Sequence, residues 1–285
     1  MGLFTKKNIE AEPQYLISPV NNKVLNYRVY RMSLPEKLMY SVLSVAAGGI
    51  VGLIFYGGLF KDKGESTLAT YISNAVVFIV VGLLVRKFFI PIRTKQLKDK
   101  RKNKLKTQFM EFLASLSTSL SSGMNVNDSL KAVCKDLSLQ FSDDSSIVIE
   151  VKELLSGMEN GVDIENMLED FGNRSGIDDI SNFAKVFSIC YRTGGNLQDV
   201  VSRSSDIISE KILISEEIET KLTSNKTQFK AMNAVPIILV FMLRIMSAQF
   251  AESFASFIGV TAITIAIVLF VIAYQLGEKI MDIRG

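Results

Sequence analysis

Four long stretches with almost no charge decide what this chain can become. Residues 38–60, 66–85 and 253–277 carry no Asp, Glu, Lys or Arg over 23, 20 and 25 positions, and 231–251 is interrupted by Arg244 alone. At a rise of about 1.5 Å per residue, each is long enough as a helix to cross a hydrocarbon layer about 30 Å thick. Backbone N–H and C=O groups have no water to bond to inside lipid, so spanning segments of this composition must be helices. The pattern predicts an all-α membrane protein with two N-terminal spans, 38–60 and 66–87, and two C-terminal spans, 231–251 and 254–277.

The remainder is too polar for a buried bundle. At 21% charged and 48% hydrophobic residues, spans must be combined with a water-exposed domain. The net charge of +3 hides an asymmetry. Residues 86–106 hold ten Lys/Arg against Asp99, whereas 107–235 hold eleven basic and twenty acidic residues. A basic run directly after a span is a membrane-surface and orientation signal rather than a nucleic-acid patch. Six Lys/Arg before residue 38 and ten after residue 85, against two in the turn 61–65, place both termini and the middle domain on the cytoplasmic side. The expected organisation is a cytoplasmic tail over 1–37, partly disordered and without a core of its own, then a hairpin over 38–90. A helical bundle follows over 91–230, then a second hairpin over 231–277 and a short tail over 278–285. The first apolar run begins too late for a signal peptide.

The middle domain reads as about six antiparallel helices. Phe109, Phe112, Leu113, Leu116 and Leu120 share one helical face, as do Phe183, Val186, Phe187 and Cys190. Three places repeat one pattern: Gly123-Met-Asn125, Gly161-Val-Asp163 and Gly194-Gly195-Asn196, each followed by an apolar residue. Glycine takes positive φ past a helix end, and Asn or Asp two residues later accepts the free N–H groups of the next helix. After Asn196 no Gly or Pro occurs until Pro236, so one helix is expected to leave the bundle and enter the membrane. Its first half carries Leu197, Val200, Val201, Ile207, Ile208, Ile212 and Leu213 as an apolar stripe.

Little catalytic chemistry is available. Histidine is absent, which removes the commonest general base and metal ligand, and Cys134 and Cys190 stand apart from one another. No GxxxxGK[ST] phosphate loop occurs. Asp143-Asp144, Asp178-Asp179 and Glu216-Glu217 read as helix starts and solvated faces. No catalytic residue, cofactor or metal is expected. Two membrane features remain. Gly48-x-x-x-Gly52 makes a smooth face for the chain's own second span or for another molecule. Arg244, about 10 Å of helix from the outer end of its span, either snorkels there or marks a partner within the membrane.

The Phe109-x-x-Phe112-Leu113 start, the Leu120-Ser-Ser-Gly123 turn, the Arg192-Thr193-Gly194-Gly195-Asn196-Leu197 turn and the long helix reaching Pro236, set between two pairs of spans, resemble the type II secretion F family. With one such domain, the layout is similar to the TadB/TadC type of platform in tight-adherence (Flp) pilus systems. Tyr27-Arg-Val-Tyr30 and the Pro35-Glu36-Lys37 entry look closer to TadB. The resemblance implies a non-enzymatic inner-membrane platform coupling a cytosolic hexameric secretion ATPase to insertion of pilin subunits. Its implied partners are that ATPase, a second TadC-like platform protein or further copies of itself, prepilin or pilin, and membrane lipid, with no nucleic acid. Coupling would run through Gly123, Asn125, Gly161, Asp163, Thr193, Gly194, Gly195, Asn196 and Pro236. Gly48, Gly52 and Arg244 would be intramembrane contacts. The competing class is a small transporter or channel subunit.

Overall fold

A computed structural model of the chain describes residues 12–59 and 67–281, and 82% of it is helical. The first eleven residues of the tail, the turn 61–65 and residues 282–285 lie outside the described residues. The chain divides into two compact units, 1–31 with 94–214 and 32–93 with 215–285.

The first unit is a helical bundle with a small strand hairpin. Its helical pieces are the C-terminal part of α2 (Leu68–Ser121), α3 (Val126–Gln140), α4 (Ser146–Glu159), α5 (Ile164–Ser175), α6 (Asp178–Thr193) and the N-terminal part of α7 (Leu197–Met246). Phe109 anchors the core. Its ring stacks on Phe112 at 5.6 Å and meets Phe171 and Phe183 edge-on at 6.1 and 5.5 Å. Leu113, Val133, Val151, Met167 and Val201 close around these rings and are fully buried. Two stripes are narrower than their sequence suggests. On α7 the inward positions are Leu197, Val201, Ile208 and Ile212, at spacings of four, seven and four, whereas Ile207 and Leu213 point outward. On α6, Val186 is likewise exposed while Phe183, Phe187 and Cys190 are buried.

The N-terminal segment corrects the expectation of a tail without a core. Strands β1 (Tyr15–Ile17) and β2 (Lys23–Leu25) pair antiparallel, with Leu16 opposite Val24. Beyond them Tyr27 is 1% exposed and belongs to the bundle core. Arg174 holds the segment in place. Its guanidinium donates to both oxygens of Glu150 on α4 at 2.9 and 2.7 Å, to Asp170 at 2.6 Å and to the Leu25 carbonyl at 3.1 Å. Its own carbonyl accepts the Tyr27 N–H at 3.0 Å. Burial alone would lower the proton affinity of Arg174, but the bonds and charges of Glu150 and Asp170 outweigh it and push its pKa up. Burial also pushes the Tyr27 phenol up. Arg101 on α2 adds a bond to the Val29 carbonyl at 2.5 Å and lies over the Tyr30 ring.

The second unit contains helices long and apolar enough to cross a membrane. They are α1 (Leu34–Tyr56), the N-terminal part of α2, the C-terminal part of α7, and α9 (Phe257–Met281), while α8 (Ala248–Ala255) is short. The first span starts four residues before the expected 38 because Ser33 and Glu36 form a reciprocal capping box, with Pro35 in the first turn. It ends at Tyr56, where the Gly57 N–H closes onto the Leu53 carbonyl at 2.8 Å. The expected third span, 231–251, is cut after Met246: Ser247 takes an extended conformation and caps α8. Ser256 separates α8 from α9, so the fourth span begins at Phe257 rather than 254. The boundary expected at 90/91 lies inside α2, a single helix of 54 residues that contains Pro91.

Replacing Arg174 with Met leaves Glu150 buried and unpaired. That variant is expected to lose about 3–5 kcal/mol of stability, read as a lowered midpoint in thermal unfolding of the detergent-solubilised protein. Adding Glu150→Gln should recover part of the loss, because it removes the stranded charge.

Candidate functional site

The residues singled out in the sequence fall on the helix turns of the bundle, on the exit helix α7, and at the point where α7 meets α1. The three glycine turns are built alike. Gly123, Gly161 and Gly194 have φ of 81°, 75° and 67°. In each, the N–H of the following residue reaches back to a carbonyl five positions earlier: Met124 to Ser119, Val162 to Gly157 and Gly195 to Cys190. This is the glycine-terminated helix end in which leftover carbonyls find donors. The restarts differ. Asn125 Oδ1 accepts from the Asp128 N–H at 2.9 Å, and Asn196 Oδ1 accepts from the Asp199 N–H at 3.2 Å. Asp163 occupies the same position before α5, but its side chain makes no capping bond, contrary to expectation. Thr193 Oγ1 donates to the Ile189 carbonyl at 2.9 Å, which tightens the last turn of α6.

The opposite end of α6 carries a clamp. Asp179, in the first turn of α6, accepts from Lys211 of α7 at 2.6 Å and faces Lys106 of α2 at 3.0 Å. One carboxylate thus ties the start of α6 to both long helices within the bundle. Burial works against its ionisation, but the two ammonium groups outweigh that and hold Asp179 below the usual carboxylate range. The sequence reading had assigned Asp178-Asp179 only to a helix start. Lys106 and Lys211 are too distant along the chain for any local pattern to signal them.

From Leu213 to Leu222, α7 is no longer embedded in the bundle core, and its polar side chains there are exposed. The helix continues without a break through Pro236 to Met246. Farther along, Phe229 stacks on Tyr274 of α9 at 5.7 Å. Arg244 is bonded within the chain. Its two terminal nitrogens donate to the Leu53 and Gly57 carbonyls at the end of α1, at 3.0 and 2.9 Å, and its guanidinium lies over the Phe254 ring. Carbonyls at a helix C-terminus carry partial negative charge, so a cation there is well placed. Nε of Arg244 is buried with no bonding partner.

The smooth face of α1 is closed by the chain itself. A Cβ on Gly48 would lie 2.8 Å from Val85, and one on Gly52 would lie 2.9 Å from Val81. From the other side, a Cβ on Gly82 would lie 2.8 Å from the Val45 carbonyl. Of the two contacts open to Gly48 and Gly52, the chain's own second span and another molecule, the structure has the packing of α1 on α2.

Residues 112–245 match the family described as type II secretion system (T2SS), protein F. The matched stretch covers just under half of the chain. It starts inside the Phe109–Phe112 core, takes in all three glycine turns and ends one residue after Arg244. Proteins of that family are membrane platforms of type II secretion and type IV pilus systems and are not enzymes. The family match and the four apolar helices fit a multi-pass inner-membrane protein. No curated protein and no solved structure matches the chain.

Two outcomes follow from the turn and the clamp. Gly194→Val forces a β-branched residue into positive φ and is expected to cost about 1–3 kcal/mol, whereas Gly194→Asn should cost less because Asn tolerates that region; thermal unfolding of the two variants orders them. Asp179 is more acidic in the folded protein than in the unfolded chain. Its contribution is therefore complete above the ordinary carboxylate range of about 4 and is lost as pH falls through it toward the folded value. The stability gap between wild type and Asp179→Asn should accordingly be present at neutral pH and narrow progressively as pH falls below about 4.

Proposed function

We propose that this chain is the inner-membrane platform of a pilus-assembly or type II-like secretion machine, of the single-domain TadB/TadC type. It couples a cytosolic hexameric ATPase to insertion of pilin subunits into the filament. The observation that carries the reading is the family match over 112–245 combined with the unbroken course of α7, from the Gly194-Gly195 turn to Arg244. A helix of 50 residues, one end packed in a bundle and the other bonded to the end of a span, moves as one body when the bundle moves. In this reading the bundle and both termini are cytoplasmic, and the bundle's acidic surface docks on the motor. Gly123, Asn125, Gly161, Asp163, Thr193, Gly194, Gly195 and Asn196 keep its helices in register during the stroke, and Pro236 marks the point where α7 enters the membrane.

Arg244 enters the same reading as the residue that passes movement of α7 to α1. A carboxylate on the N-terminal helix of a pilin would be its partner only by taking the place of the Leu53 or Gly57 carbonyl. The transporter reading requires a polar pathway, and the guanidinium that would mark it is already bonded to backbone carbonyls.

Photo-crosslinking in cells from Ile189 and Glu217, both exposed, tests the coupling. Capture of a secretion ATPase is the expected result. Capture of nothing but further copies of this chain, in cells where the ATPase is present, would remove the motor from the mechanism. A deletion strain should lack surface filaments, and flux through liposomes carrying the pure protein would favour the transporter instead.

A further inference from the structure

The second unit carries a lined groove that the platform role does not use. It has a volume of about 580 Å³ and runs along one side of α1, bounded by Leu34, Leu38, Val42, Val45 and Ala46 with Phe78 of α2. That volume lies within the roughly 300–1,000 Å³ typical of small-molecule sites. The wall is almost wholly apolar, with three exceptions. Lys37 in the first turn of α1 and Arg86 of α2 both line the groove. Among the described residues neither has an ion-pair partner, and both are exposed. The third exception is Ser41, which is 8% exposed and whose Oγ has no hydrogen-bond partner. An unsatisfied buried hydroxyl is costly unless a bound group completes it.

We infer that this groove is a binding site for one anionic glycerophospholipid of the cytoplasmic leaflet. An acyl chain lies along Leu38, Val42, Val45 and Phe78. The phosphodiester is held by the ammonium of Lys37 and the guanidinium of Arg86, and the Ser41 hydroxyl donates to an ester carbonyl of the glycerol backbone. The occupant must be anionic because two cations line the groove with no carboxylate to neutralise them. It must be largely apolar because every other lining group is hydrocarbon. A phospholipid meets both requirements, and its phosphate sits where long basic side chains reach from an apolar helix surface toward water. The site differs in kind from the basic run over 86–106, which attracts anionic headgroups without a pocket. Here a defined wall and a hydroxyl would select one molecule.

The chain contains no tryptophan, so one introduced indole reports on its own surroundings. Leu38→Trp places it on the groove wall. Phe88→Trp places a control two residues from Arg86 but outside the groove, and both native side chains are 68% exposed. The full-length variants are reconstituted in vesicles in which either phosphatidylglycerol or phosphatidylcholine is brominated, and quenching of each indole is measured. At Leu38→Trp, phosphatidylglycerol should be preferred by about tenfold or more, as expected for two cations each worth about a kilocalorie per mole near the membrane surface. The preference should disappear in Lys37→Gln/Arg86→Gln and be much weaker at Phe88→Trp. Equal preference at the two positions would mean general attraction by the basic run and would overturn the site, as would a preference that survives the double substitution. Shielding of Leu38→Trp from both lipids would show that a protein helix covers the groove, and would overturn it equally. Elution of each variant as one symmetric peak in detergent confirms that folded protein is being compared.

Discussion

Helix ends leave backbone groups without partners, and the way this chain satisfies them decides where it can turn. In the bundle, where water is near, the solution is glycine. Gly123, Gly161 and Gly194 take positive φ and let the next N–H return to a stranded carbonyl. In the apolar unit a positive-φ glycine also follows α1, Gly58 at 79°. There the end of α1 receives a guanidinium as well: Arg244 supplies two donors from a helix nearly two hundred residues away in sequence. The same requirement explains the serines. Ser33 caps α1, and Ser247 caps α8. Each break between apolar helices carries its own hydroxyl.

Satisfying the ends also frees the middles. Once no break is needed, α2 and α7 run for 54 and 50 residues, and each contributes to both compact units. The proline inside each removes one backbone donor without ending the helix. Within the bundle, Asp179 holds Lys106 of α2 and Lys211 of α7 at a single carboxylate. The bundle therefore grips both helices before either leaves it.

What the sequence made legible was what local physics determines. Uncharged runs identify spanning helices, and Gly-x-Asn spacing identifies turns, because each depends on residues within a few positions of one another. Several of the differences have a long-range cause. Residues 12–31 looked like a tail because three-residue strands and a lone tyrosine show no periodicity, yet Tyr27 is buried by Arg174, far along the chain. Val186 and Leu213 satisfied an apolar spacing but fall on the outer flank of their helices, since a stripe read at threes and fours is wider than the core it faces. For Arg244 the sequence leaves open snorkelling or a partner within the membrane, and its bonds are to an α1 terminus that no local window contains.

The fate of the two intramembrane features shows how much a polar group costs inside the apolar unit. Gly48 and Gly52 allow α1 to approach α2 so closely that a methyl group would not fit, so this face offers nothing to another molecule. Arg244 could have been left free to recruit a partner, but a free guanidinium in hydrocarbon is expensive, and the Leu53 and Gly57 carbonyls at the end of α1 have lone pairs to accept from it. Joining them removes that cost and fixes α7 to α1 at the same place. The same two bonds that pair the guanidinium therefore also tie the two spans together.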